Sequence, residues 1–269
     1  MKRLVWIISL LIISSVFWMC EEDETDEGTS ETTLSGGAVK GVIQNAEVNV
    51  YAFDENELRG ELLASAETNS EGEFTVSVDH VGGVEIVVTG GSYSDEATGE
   101  EVSMDNFEFR NVVMSDDKNE KTVGVTALTT IAAENIDENA SEGLATAIEN
   151  ANNKVANAFG LGDTDISSTV PADLTRSESI DAEQSELSYG AVQAGLSNLV
   201  KTEGLDPEDL PELINAMGED FRDGNFDGKD GEEALDFALS ITPEEALDGL
   251  QTAIDNFLNG SQNTSDYLP

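Results

Sequence analysis

Residues 223–231 read Asp-Gly-Asn-Phe-Asp-Gly-Lys-Asp-Gly, with oxygen-bearing side chains at alternate positions. A hard cation such as calcium takes six to eight oxygens, and alternating side chains in a tight loop supply them. Asp223, Asn225 and Asp227 would ligate through their side chains and Lys229 through its carbonyl. Gly228 would permit the sharp turn between them. The twelfth position of such a loop calls for a bidentate Glu, and here it holds Ala234. Glu233 stands one residue early, and a shortened loop would draw on it. Two readings follow: a calcium loop, or an acidic Gly-rich turn between two helices.

Other chemistry is thin. Cys20 is the single cysteine and His80 the single histidine, which removes an internal disulfide and most His-based catalysis. His80 follows Asp79 at the end of a strand-like run and reads as a turn residue. Gly195-Leu196-Ser197-Asn198-Leu199 has a serine spaced like a nucleophile elbow. It lacks the closing glycine and lies in a helical pattern, so it carries no nucleophile. Gly160-Leu161-Gly162 follows no strand and is no phosphate loop. Paired carboxylates could hydrolyse glycosides, but 56 acidic residues guarantee chance pairs. Tyr93, Asp95, Glu96 and Thr98 stand in a Gly-rich stretch that reads as a binding tip or a plain inter-strand loop.

Against the 56 acids stand 12 Lys and Arg, for a net charge of −44. The basic residues are scattered singly, which excludes nucleic acid as a partner and excludes a polybasic membrane patch. The acids are spread along the chain. They read as a solvated surface adapted to high salt, where screening relieves self-repulsion, or as an acidic face for a partner or cation.

The address is clearer than the activity. Lys2 and Arg3 precede an apolar run from Leu4 to Val16, and Cys20 is followed at once by Glu21-Glu22-Asp23-Glu24. The run is short for a spanning helix and suits a signal-peptide core. The segment resembles a bacterial lipoprotein cleavage site. That resemblance implies a signal peptide over 1–19, lipidation of Cys20, membrane attachment through the lipid and a place in the cell envelope. Glu21 after the cysteine favours the outer over the inner membrane. The alternative is an uncleaved signal anchor. Residues 20–37 then read as an acidic, flexible tether.

From 38 to 126 the apolar period is two. Ala46, Val48, Val50 and Ala52 alternate, as do Phe74, Val76 and Val78, and Val84, Ile86 and Val88. Turn signals at 54–56, 69–72, 82–83 and 90–91 divide about seven strands, the pattern of an antiparallel β-sandwich. From 127 to 258 the period becomes helical. Asp206-Pro207 and Thr242-Pro243-Glu244-Glu245 are helix starts, and roughly four to six helices are expected. Residues 259–269 read as a flexible tail. The fold class is therefore α+β in two domains, an N-terminal antiparallel β-sandwich and a C-terminal all-α domain.

Two segments, Gly41–Phe53 and Thr68–Val78, are similar to carboxypeptidase-regulatory-like and transthyretin-like sandwiches, and Val87–Gly99 is similar to a segment of envelope lipoproteins of unknown function. The helical opening at Val125–Thr130 resembles envelope lipoproteins in which such a sandwich precedes a helical region. The resemblance implies the architecture and selects no activity; the leading reading is a binding or structural module of the envelope with no defined catalytic activity and no cofactor besides the calcium of the loop reading, whose partner is an envelope protein or glycan. The alternative is a carboxylate-based hydrolase of the envelope. A solute-binding protein is disfavoured, because strands and helices do not alternate.

Overall fold

A computed structural model describes residues 31–54, 59–105, 107–116, 120–136 and 142–269. The leader, Cys20 and most of the expected tether lie outside the described residues.

Nine strands precede Ala127 among the described residues: β1 (Thr32–Val39), β2 (Glu47–Phe53), β3 (Leu62–Glu67), β4 (Glu73–Val78), β5 (Gly82–Thr89), β6 (Ser92–Ser94), β7 (Glu101–Ser103), β8 (Glu108–Ser115) and β9 (Glu120–Thr126). Seven form one sheet in the order β3-β2-β5-β8-β9-β1-β4, and β6 and β7 form a separate ribbon. The edge strands β3 and β4 are consecutive in the chain and lie close together, so the sheet curls nearly into a barrel. Along β4 burial alternates strictly, with Phe74, Val76 and Val78 inward, as a pleated strand with one wet face requires. β5 is covered on both faces, so its run is buried from Gly83 to Val88.

Two features depart from the sequence reading. One pair, β1 with β9, is parallel from Thr33↔Glu120 to Val39↔Thr126. In addition, β1 occupies residues 32–37, which the composition assigned to the tether. Leu34 is its one large apolar residue before Val39, and it is buried. β1 is hydrogen-bonded on both sides, to β4 and β9. Small residues are needed there: a Cβ on Gly36 would lie 1.8 Å from the carbonyl oxygen of Val123. The Thr-Ser-Gly composition that mimics a linker is what allows this close approach.

β9 runs without a loop into α1 (Ala127–Glu134), where Thr126 caps the Thr129 amide and Thr129 returns a bond to Thr126. α2 (Leu144–Ala158), α3 (Gln184–Thr202), α4 (Leu210–Asp220) and α5 (Pro243–Leu258) follow. The α5 start is a capping box between Thr242 and Glu245 with Pro243 in the first turn, which satisfies otherwise orphaned N–H groups. α3 is the central helix, buried along Tyr189–Val200. Gly195 is where α5 crosses it: a Cβ there would meet Cγ1 of Ile254 at 2.4 Å. One contiguous core runs from Leu34 and Val50 in the strands to Leu196 and Leu250 in the helices. A second cluster, with Phe53, Val112 and Ile148, packs α1 and α2 onto the other face of the sheet.

Residues 259–269, expected as a free tail, fold back. The Tyr267 ring is buried with Leu174, Leu187 and Phe257, and its hydroxyl accepts from Gln184 Nε2 at 2.6 Å. The Thr264 and Ser265 amides also donate to the Leu174 carbonyl at 3.1 and 3.2 Å, so a buried ring and paired backbone groups together seat an otherwise polar segment.

Candidate functional site

The β6–β7 ribbon and the start of β8 face the turn that begins α4, and a pocket of about 300 Å³ lies between them. Its floor is buried and apolar: Tyr93, Val102, Met104 and Phe109. Phe107 stands edge-on to Phe109, with ring centroids 4.9 Å apart and planes at 86°, a favoured aromatic geometry. The rim is exposed and polar, with Ser103 on the strand side and Glu208, Glu212 and Asn215 on the helix side. The helix side is set by a local signal. The Asp209 carboxylate accepts from the Asp206 amide at 2.9 Å, and Pro207 begins the turn. Glu208 and Glu212 then fall one helical turn apart and project from the same wall.

Tyr93 is the unusual member. It is 2% exposed, and its hydroxyl has no hydrogen-bond partner. A buried hydroxyl is normally satisfied. Burial, and then the charges of Glu96, Asp95 and Glu208, push its pKa upward, so the phenol stays neutral and able to donate or accept.

Behind the Tyr93 ring, 5.9 Å from its centroid, sits the ammonium of Lys40. Lys40 is 0% exposed. It donates to Glu96 Oε2 at 2.6 Å, to Ser197 Oγ at 2.5 Å and to the Gln193 carbonyl at 3.1 Å. Ser197 also donates to Glu96 Oε2 at 2.7 Å, and Glu96 Oε1 accepts from the Gly41 amide at 2.8 Å. A serine beside a lysine has the spacing of a nucleophile and its base. Here the lysine is ion-paired with Glu96 at 2.6 Å, and all three groups are closed off from solvent. The arrangement pins the β1–β2 turn and the segment after β6 to α3. Burial alone would raise the pKa of Asp95; the Lys40 charge and hydrogen bonds that include those from Thr98 outweigh it and hold the carboxyl below its ordinary range. Tyr93, Asp95 and Glu96, read from sequence as a binding tip or a loop, thus face inward.

The expected calcium ligands are brought into one loop. Asp223 Oδ1 accepts from the amide and side chain of Asn225 at 3.0 and 3.2 Å. Asp227 faces Lys229 at 3.8 Å. Lys229 and Glu233 lie on opposite strands of a small ribbon, β10 (Lys229–Asp230) and β11 (Glu233–Ala234). All five are exposed. Among the described residues, no group of three or more His, Cys, Asp or Glu is placed to hold a metal.

The residue that organises this loop is Asp220, which lies outside the D-x-N-x-D-G spacing. It is 0% exposed at the end of α4. Its Oδ1 accepts from the Gly228 and Lys229 amides at 2.8 and 3.0 Å, while Oδ2 has no partner. Burial, against those hydrogen bonds, raises its pKa. A sequence signal existed: Asp220 lies three residues after Met217 and seven after Leu213, on the buried face of α4.

Other charged groups are structural. Glu85 is buried in β5 and accepts from Arg59 Nε at 2.6 Å and Arg110 Nε at 2.5 Å. The hydrogen bond from Arg59 to Glu85, opposed by burial, raises the arginine pKa further. The His80 backbone carbonyl accepts from Ser115 Oγ at 2.7 Å. A larger trough of about 610 Å³ runs between Phe74 and Pro171. Its cation, Arg176, is already paired with Glu71 and Asp173, and the trough lacks an orphaned buried group like that of Tyr93 among the described residues.

No family model matches the chain, and no curated protein matches it. Two solved structures show partial likeness. A 9R-lipoxygenase from Cyanothece PCC8801 aligns over 71% of this chain and 24% of its own, at 10% identity and TM-score 0.26. The tip fimbrial protein Mfa3 from Porphyromonas gingivalis aligns over 32% of this chain and 39% of its own, at 13% identity and TM-score 0.20. The chain thus spans well under half the length of either, and at these scores neither likeness carries an argument about fold or function.

Proposed function

We propose that this chain is a lipid-anchored binding module of the bacterial cell envelope, without catalytic activity, whose recognition site is the Tyr93 pocket. The anchor reading rests on the apolar leader, the single Cys20 and the acidic stretch that follows it. The sandwich reading of the sheet is favoured by one detail: among the described residues, β8 and β9 pair at Arg110↔Thr126 alone. A sandwich would part at that seam, into β3-β2-β5-β8 and β9-β1-β4.

The observation that carries the site is the buried hydroxyl of Tyr93, unsatisfied in an aromatic pocket with a polar rim. Convergent apolar walls with a few placed polar groups are the usual form of a ligand site. A carboxylate-based hydrolase is less well served. Its acid and its base or nucleophile must flank the scissile bond, and Glu208 and Glu212 rise from one wall.

Two measurements test the reading. Labelled fatty acid should enter the wild type and not a Cys20→Ser variant; equal labelling refutes the anchor. A Ser103→Trp substitution at the exposed rim should block the pocket without disturbing the core. Pocket ligands that bind the wild type should be lost from this variant while its melting temperature holds. Unchanged binding would refute the site.

A further inference from the structure

We infer that the Tyr93 pocket selects a small organic cation, an ammonium carried on an apolar or aromatic body. This rests on the pocket being a recognition site and names the chemistry of what it takes.

The walls supply the apolar part. Tyr93, Phe107 and Phe109 present aromatic rings, and Val102, Met104 and Pro211 fill between them. Aromatic rings attract cations through their negative faces, an effect that strengthens as water is excluded. At about 300 Å³ the pocket is at the small end of ligand sites, which limits the body to roughly one ring or a short alkyl group.

The charge comes from the surroundings. Glu208 and Glu212 stand at the mouth, and Glu96 and Asp95 lie behind the Tyr93 ring, close enough that both, with Glu208, act on the phenol. Two cations oppose these four carboxylates. Lys40 is bonded to Glu96 at 2.6 Å, and Lys201 is bonded to the Ala97 carbonyl at 2.7 Å. The balance at the pocket is negative, within a chain of net charge −44. An anionic ligand would meet repulsion from every rim charge. A neutral one would leave Glu208 and Glu212 unused. An ammonium would pair with the Glu208 and Glu212 carboxylates at the mouth while its apolar body meets the aromatic floor.

Three probes of like shape separate the cases: 2-phenylethylammonium, 2-phenylethanol and phenylacetate. Their binding to the purified full-length chain is measured by calorimetry at a fixed ionic strength near 0.15 M, for the wild type, Glu208→Gln and Ser103→Trp. The ammonium should bind about tenfold or more tightly than the alcohol, and phenylacetate should not bind. Glu208→Gln should reduce the preference for ammonium over alcohol several-fold. Equal binding of alcohol and ammonium, or tighter binding of phenylacetate, overturns the cation assignment and leaves the pocket standing as a site. Ammonium binding that survives Ser103→Trp is counter-ion attraction to the acidic surface and overturns the assignment too. Failure of all three probes removes both the assignment and the site.

Discussion

The Lys40 ammonium is enclosed where a strand turn, the segment after β6 and α3 meet, and its partners decide whether that burial is tolerable. A buried charge is costly unless it is paired and hydrogen-bonded. Lys40 finds Glu96, Ser197 and a carbonyl, so every proton has an acceptor. Lys40→Met leaves the Glu96 carboxylate buried beside a methyl group. We expect a loss of about 3–5 kcal/mol in denaturant unfolding. The double variant Lys40→Met/Glu96→Gln removes the stranded charge and keeps an acceptor for the Gly41 amide, so it should cost less than the single change. If both cost the same, the unpaired charge is not the source of the loss. None of this was legible in the sequence. Lys40, Glu96 and Ser197 are separated by 56 and 101 positions, and each alone reads as a surface residue or a chance motif.

At the scale of elements, the caps were legible because they are local. Thr242 and Glu245 sit three residues apart, and the pair means the same thing in any helix. The loop after α4 was only half legible. Its D-x-N-x-D-G spacing suggested ligands for calcium, but Asp220, outside the motif, takes the backbone donors of the loop. Asp223 is then tied to Asn225, and Asp227 faces Lys229. With Asp223 and Asp227 each engaged by a neighbour in the loop, the loop should respond to calcium and magnesium alike. In molar NaCl the two ions should shift the melting temperature equally, in wild type and Asp227→Ala. A calcium-selective rise lost in Asp227→Ala would mean that the loop rearranges around the ion.

Asp220 adds a pH dependence to the same element. Its folded pKa is raised by burial, so its protonated form favours the folded state. Its contribution is present in full below the ordinary carboxyl pKa and is lost as pH rises through the folded value. Between mildly acidic and neutral pH, wild type should therefore lose more stability than Asp220→Asn, which keeps a neutral acceptor. Parallel pH profiles would mean that burial does not shift this carboxyl.

For the whole molecule, charge sets the conditions of stability. A net charge of −44 opposes compaction through self-repulsion, which salt screens over about 10 Å at 0.1 M and about 3 Å at 1 M. The melting temperature should climb markedly from low to molar NaCl; a flat response would reject this account. Sequence alone established the properties that sum over residues or act within a few positions: the acidic balance of the chain, the change from period two to helical period near 126, and the helix starts. It could not establish that Thr32–Gly37 is an inner strand, because pairing on both sides, not apolar content, holds it there. Nor could it assemble the Tyr93 pocket, whose walls come from residues 93–109 and 208–215. Those segments meet only because helices and sheet close over one core, and contacts between distant segments are set by packing that no local pattern encodes.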